Sequence, residues 1–540
     1  MRLRAAAGAL LAAALASLAL AAPAPAVIGE EAAIRAADRD PKVVQTRREH
    51  PGLAPSAAMV DGRWEVAYFA GGEQLALAIV DPRSGEVAES WTGYQVAWKM
   101  ARGYEGAFGR ALNAPWVFLP LCAIFLCGLL DWRRPLRVAN LDLVALLAFG
   151  ASHLFFNRGE IGVSVPLQYP PLLYLLGRCL WIGLRGRGPG LRPVWPASWL
   201  LVAALFLLGF RVGLNVADAG VIDVGYAGVV GADRIAHGEA IYDNFPSDFT
   251  NGDTYGPVNY LAYVPFELVW PWSGTWDDLP AAHGAAVAFD LAAFLLLVLL
   301  GTRLRPGAAG RRLAAALGFG WAAYPYTAYV LESNANDALV AALLVAVLVL
   351  LARPAARGAT LALATWAKFA PAPLGPMLLT WRPPEGEGGG GPPRRAALAF
   401  AAGFALVSLV VLAWPALDPG LATFYERTVG TQAGRDSPFS VWGQVPSLEW
   451  LRVALLGALA ALSLLFAARP RRKSVRQVAA LGAALIVLLQ LTLQHWFYLY
   501  VAWFYPLLLV ALLLGPAPEA RPGRAERAPA PAQAGSITCS

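Results

Sequence analysis

Eleven runs of apolar residues, each approaching the thickness of a bilayer as a helix, occupy most of the chain beyond residue 113. They are 114–130, 141–156, 165–184, 198–214, 281–302, 313–330, 338–351, 396–414, 451–467, 478–493 and 497–514. A hydrocarbon core takes roughly 20 apolar residues per helix, and a helix satisfies every backbone polar group within its own segment. The runs therefore specify an all-α polytopic membrane protein with about eleven transmembrane helices. Only 15% of residues are charged and 57% are hydrophobic, where a soluble domain carries about 25% charged residues.

The formal net charge is +7. The arginines sit in short clusters between apolar runs, the positive-inside pattern of membrane proteins, and not along a nucleic-acid-binding face. With the chain start outside, 131–137, 185–193, 303–312, 353–357, 394–395 and 469–476 all fall in the cytoplasm. Of the four cysteines, Cys122, Cys127 and Cys179 lie inside apolar runs and Cys539 is next to last. They give no disulfide framework, metal site or prenylation box.

Residues 1–26 read as a signal peptide: Arg2 and Arg4, an apolar core, then Ala24-Pro25-Ala26 as a small-x-small cleavage site. An uncleaved anchor would give the same sidedness. Residues 27–110 are a small exported α+β module. Glu30 to Asp40 reads as a helix, with strands over 63–70 and 75–81, a turn at Gly71-Gly72-Glu73 and a second turn over 81–87. Its "WEVAYF" and "VDPRSGEV" resemble PepSY-type domains. Residues 111–515 form the transmembrane domain, and 516–540 a disordered cytoplasmic tail.

Two apolar stretches do not fit as full spans. Tyr255 to Trp272 is aromatic and contains proline, and reads as a juxtamembrane or re-entrant element outside. Thr360 to Trp381 carries Pro371, Pro373 and Pro376, and reads as two half-helices that enter and return on the cytoplasmic side. The glycine-rich 383–393 is then a flexible cytoplasmic linker.

Polar residues collect in three outer segments, 215–256, 332–337 and 416–448. In the first, Asp218 and Asp223 closely follow an apolar run, and Tyr226, Ala227 and Asp233 continue at helical spacing. A carboxylate there can act on a polar group whose lipid tail lies in the bilayer, or be one acid of a solvated loop. The second is Glu-Ser-Asn-Ala-Asn-Asp, either ligand-binding or a helix-capping turn. The third places Arg427, Gln432 and Arg435 outside, where arginine is disfavoured, and suits a phosphate or lipid headgroups. Lys368, in the proline-broken hairpin, is a functional cation or a snorkelling one. His495 contacts a phosphate or hydroxyl, or belongs to an aromatic belt.

These pieces, "DVGYAGVVGADRIAHGEAIY", "DTYGPVNYLAYVPFE", "YPYTAYVLESNANDALVA", "WAKFAPAPLGP", "RDSPFSVWG" and "HWFYLYVAWFYPLL", resemble the GT-C superfamily of polytopic glycosyltransferases, nearest to the glycosyltransferase family 87 mannosyltransferase-like proteins. The resemblance covers residues 197–515. It implies a polyprenyl-phosphate sugar donor, a glycan, lipid or protein acceptor, a multi-pass location in the cell membrane and an active site on its extracytoplasmic side. It implies no cofactor and no nucleotide fold; the glycine-rich phosphate loop of a nucleotide fold does not occur. Asp223 matches the catalytic base, opening a pattern with Tyr226, Gly238 and Tyr242, and Asp218 is the reserve. Tyr226, His237, Asp253, Tyr255, Asn336, Asp337, Lys368, Arg435 and His495 are implied in substrate binding. The chain departs from the pattern in its exported module, its three added helices and a second acidic cluster, Asp243, Asp248 and Asp253, which would suit a divalent metal. The rival readings are a secondary transporter or lipid flippase with an exported sensor module, and a non-catalytic membrane scaffold.

Overall fold

The computed structural model describes residues 27–103, 109–186, 190–247, 249–385, 392–433 and 437–515. The signal peptide, Asp248, Arg435 and the C-terminal tail lie outside the described residues. The described residues divide into two compact units, one of 27–103 with 155–161 and one of the remainder.

The first unit is a four-stranded antiparallel meander carrying two helices, α1 (Glu30–Ala37) and α2 (Pro41–Glu49). The strands are β1 (Ala54–Val60), β2 (Arg63–Ala70), β3 (Glu73–Val80) and β4 (Val87–Thr92), in sheet order β1-β2-β3-β4. Asp61 and Gly62 both take positive φ, as do Gly71 and Gly72. Left-handed residue pairs of this kind turn a hairpin with the right twist. Val66, Tyr68, Ala76, Ala78 and Val80 line the face on which Ala33, Ala37 and Val43 of the helices pack. Asp40 caps α2, accepting from the Lys42 and Val43 N–H groups at 2.9 and 3.3 Å, and Pro41 supplies its preset first turn. The expected turn over 81–87 is held by Asp81, whose Oδ1 accepts from the Arg83 and Ser84 N–H groups, both at 2.8 Å. The unit also takes in Phe155–Ile161. There Gly159 comes so near that a Cβ on Gly103 would sit 2.2 Å from the Gly159 nitrogen.

The second unit is helical. Its main helices are α3 (Pro115–Leu129), α4 (Val138–Asn157, whose last residues belong to the first unit), α5 (Tyr169–Arg185), α6 (Ala197–Asp218), α7 (Asp223–Ala236), α8 (Pro280–Leu304), α9 (Gly307–Ala323), α10 (Pro325–Glu332), α11 (Asp337–Val349), α12 (Pro354–Ala367), α13 (Pro393–Leu417), α14 (Glu449–Ala468), α15 (Val475–Thr492) and α16 (Val501–Leu514). Proline at the first turn starts α8, α10, α12 and α13, and a capping box of Ser474 and Gln477 starts α15. Among the described residues six helices are long and apolar enough to cross a membrane: α4, α6, α8, α13, α14 with its lead-in from Pro446, and α15. Other runs are divided. The 313–330 run breaks at Tyr324-Pro325 into α9 and α10, and the 338–351 run ends with α11 at Val349.

Tyr255 to Trp272 folds as two short helices, Pro257–Leu261 and Val264–Glu267, and does not form a span. The 360–381 stretch is broken as its prolines dictate. α12 stops at Ala367, and the chain resumes in short turns at Ala372–Leu374 and Gly375–Leu379. α12 and α13 meet through glycine. A Cβ on Gly358 would lie 2.1 Å from the Phe400 carbonyl oxygen, and one on Gly403 2.1 Å from that of Ala355. Small residues facing each other in this way let apolar helices approach closely.

Candidate functional site

The segment 332–337 reads as a polar turn on the outer side, and in the structure every residue of it is buried, none more than 2% exposed. It links α10 to α11 inside the bundle, and Asn334 makes the reversal at a φ of 50°, a conformation asparagine tolerates. The capping role does not materialise. Asn336 precedes α11 without a side-chain cap bond, and its Nδ2 donates across to Asn259 Oδ1 at 2.6 Å.

Asp337 opens α11 and organises the site. Its Oδ1 accepts from Lys368 Nζ at 2.6 Å and from Trp503 Nε1 at 2.6 Å. The ammonium lies 5.4, 5.6 and 5.2 Å from the ring centroids of Tyr255, Tyr500 and Trp503, an aromatic cage for a cation. α11 and α12 form an antiparallel hairpin, so Lys368, just past the end of α12, returns to the level of Asp337. Lys368 therefore neither snorkels nor lies at the opposite end from the 215–256 segment. Gly256 fastens that segment to the hairpin: a Cβ there would lie 2.0 Å from the Trp366 carbonyl oxygen.

Glu332 Oε1, Ser333 Oγ, Asn336 Oδ1, Asp337 Oδ2 and, across from them, Asn259 Nδ2 are buried and meet no hydrogen-bond partner among the described residues. Buried polar atoms are nearly always hydrogen-bonded in native proteins, so five around one short segment make it the candidate site.

Asp223 stands at the start of α7, at the other flank of the same segment. Ile222 N–H donates to the Ser333 carbonyl at 3.3 Å, and a Cβ on Gly225 would lie 2.5 Å from the Asn334 carbonyl oxygen. The Asp223 carboxylate is half-buried. Thus the structure brings Asp223, Tyr255, Asn336, Asp337 and Lys368 to one buried polar segment.

The remaining expected residues have other surroundings. Asp218 Oδ2 accepts from the Ala111 N–H at 3.0 Å, a tether for the chain before α3. Asp218 also lines a cavity of about 510 Å³ with Arg110, Asn215, Asp278 and His283. Tyr226 is fully buried, its ring stacked on Trp276 at 4.6 Å between centroids. His237, exposed at the end of α7, lies 3.2 Å from the Asp233 carboxylate, and the Asp233 carbonyl and carboxylate raise its pKa. His495 Nδ1 is 3.0 Å from Ser437 Oγ, with its ring edge-on to Phe439. Asp253, expected as a ligand or metal residue, is fully buried. Its two oxygens take Arg427 Nε and Nη2 at 2.7 and 2.8 Å, and Oδ2 also accepts from the Asp243 N–H at 2.7 Å. Asp253 is thus tied to Arg427 and to the 243 turn, and among the described residues, which do not include Asp248, no group of three His, Cys, Asp or Glu could hold a metal.

Sequence reasoning did not single out Asp290, and included Asn215 and Asn334 only as members of the 215–256 and 332–337 segments. Asn215 Nδ2 donates to Asn334 Oδ1 at 2.9 Å and to the Leu331 carbonyl at 2.7 Å. Asp290 pairs with Arg211 at 2.8 Å and accepts from Trp321 Nε1 at 2.9 Å, tying α6, α8 and α9. The signal was present: one acid and one base, each inside an otherwise apolar run, mark a buried partnership. Compared with known proteins, the chain matches no protein family and no curated protein.

Proposed function

We propose that this chain is a multi-pass membrane glycosyltransferase of the GT-C kind, moving a mannose-like hexose or a pentose from a polyprenyl phosphate to an acceptor hydroxyl. On this reading the eleven apolar runs cross the cell membrane and the reaction runs on its extracytoplasmic side. The observation that carries the reading is the buried segment 332–337. It holds several unpartnered polar atoms and the Lys368–Asp337 pair on one flank, with Asp223 on the other.

In the reaction, the acceptor oxygen attacks the anomeric carbon and the bond from that carbon to the phosphate oxygen breaks, inverting the centre. Asp223 takes the acceptor proton as general base, and the polyprenyl phosphate departs with the bonding pair. Asp337 fixes Lys368 on one N–H, leaving two donors for the phosphate oxygens. Asn336, Asn259 and the second oxygen of Asp337 receive the sugar hydroxyls. His495 and Arg435 are the further candidates for the phosphate.

The test is transfer of radiolabelled sugar from a panel of polyprenyl-phosphate sugars by membranes holding the wild-type chain or Asp223→Asn. One active donor, with transfer lost in the variant, supports both class and base. Full activity in the variant removes Asp223 from the base role. No transfer from any donor sinks the transferase reading, and a flux assay then tests the transporter.

A further inference from the structure

Arg357 and Lys473 are cations that the fold buries without an anion among the described residues. Arg357, on α12, is 1% exposed, and Lys473, in the turn between α14 and α15, is 0% exposed. Arg357 Nη1 donates to the Leu351 carbonyl. Its Nε and Nη2, and the Nζ of Lys473, meet no hydrogen-bond partner among the described residues. Among the described residues the acid that reaches this turn is Glu385, which is 84% exposed and pairs with Arg472 at 3.4 Å.

Trp381 joins the two cations. Its ring centroid is 5.2 Å from the Arg357 guanidinium carbon, and its Nε1 donates to the Lys473 carbonyl at 2.9 Å. The Phe400 ring, 5.5 Å from the guanidinium, closes another side. Lys473 N–H donates to the Arg382 carbonyl at 3.0 Å, so the two chain segments are pinned together. Burial pushes the Lys473 ammonium down to about 8.

Charged side chains are almost never fully buried unless paired, and desolvating a cation is unfavourable unless an anion and hydrogen bonds compensate. A guanidinium fork and a lysine point charge are the two side chains best suited to phosphate oxygens. Basic pockets between apolar helices receive lipid headgroup phosphates. We propose that Arg357 and Lys473, arranged by Trp381, form a binding site for a phosphate anion, carried by an acidic phospholipid head or free in solution. This site is independent of the transferase reading.

The experiment follows apparent Tm of the purified full chain in three settings: nanodiscs of phosphatidylcholine, the same with phosphatidylglycerol, and phosphatidylcholine nanodiscs with inorganic phosphate. Phosphatidylglycerol should raise the midpoint by mass action, and Lys473→Met should erase most of that rise. In phosphatidylcholine alone the variant should unfold no lower than the wild type, because it removes an uncompensated charge. Arg357→Lys, which keeps the charge and loses the fork, should retain part of the rise. A rise with inorganic phosphate assigns the site to the free anion, and a rise with phosphatidylglycerol alone assigns it to the lipid head. Equal wild-type midpoints in all three settings overturn the proposal, as does a full rise in Lys473→Met. Should that variant fail to fold, native mass spectrometry of the wild type decides, and finding neither acidic phospholipid nor phosphate retained overturns the proposal.

Discussion

Lys368 and Asp337 stand 31 residues apart in the chain and 2.6 Å apart in space, with Asp337 fully buried and Lys368 nearly so. Neither could be kept in that position alone. An ion taken out of water needs its counter-ion at short range, and the aromatic rings around the ammonium add to the attraction without offering a competing acceptor.

Removing one member should therefore do more harm than removing both. Lys368→Met or Asp337→Asn should each destabilise the protein by about 3–5 kcal/mol, whereas the double variant Lys368→Met with Asp337→Leu should recover most of that loss. Thermal unfolding of the three variants in detergent checks this, and additive losses in the double variant would contradict it. Transfer activity should be absent from all three.

Arg427 and Asp253 make the equivalent pair nearer the surface, with the Arg427 side chain 25% exposed and Asp253 buried. Arg427→Ala leaves a buried carboxylate that still accepts from the Asp243 N–H, and should loosen residues 243–253 by about 2–3 kcal/mol. Arg427→Lys keeps the charge without the two-pronged contact and should fall between. Limited proteolysis within that segment measures the order of the three proteins.

In the N-terminal unit, Tyr68 is fully buried and its OH donates to Asp38 Oδ1 at 2.8 Å. Burial, and then the Asp38 carboxylate, raise its pKa well above the usual 10. A pKa raised on folding stabilises the protein fully below the unfolded value, and the contribution is lost as pH climbs toward the folded one. The unit should lose stability progressively above pH 10. Tyr68→Phe should be weaker by about 1 kcal/mol at neutral pH but lack that alkaline decline, as near-ultraviolet circular dichroism from pH 7 to 12 will read.

Gly358 and Gly403 each face the other helix's backbone at a distance no Cβ can occupy. Gly358→Ala or Gly403→Ala should force α12 and α13 apart, lowering stability by about 1–3 kcal/mol. Because the helices separate once, the double variant should lose less than the sum. Unfolding midpoints of the two singles and the double test this.

The helical character of the chain was legible because apolar runs announce helices directly. The prolines at 371, 373 and 376 likewise announced where α12 ends. Less visible was β1: the Asp61-Gly62 pair is a standard hairpin turn, but Ala54 to Val60 is too exposed to alternate. At the site, the chemistry of 332–337 was readable and its burial was not. Its burial depends on contacts such as Asn336 with Asn259, 77 positions away, and α10 and α11 are too short to announce that the turn between them is interior. The Asp253–Arg427 pair was not legible, because nothing near Asp253 in the chain names Arg427, 174 residues on.

Residue 256 has no side chain, and the turn that carries Tyr255 rests directly on the Trp366 carbonyl. One wall of the aromatic cage thereby packs against the helix that leads into Lys368. The opposite wall, Trp503 with Asp337, belongs to other helices. A spin label or crosslink pair across α12 and α16, read against a pair across α12 and the 252–257 turn, tests whether the cluster opens between its two walls.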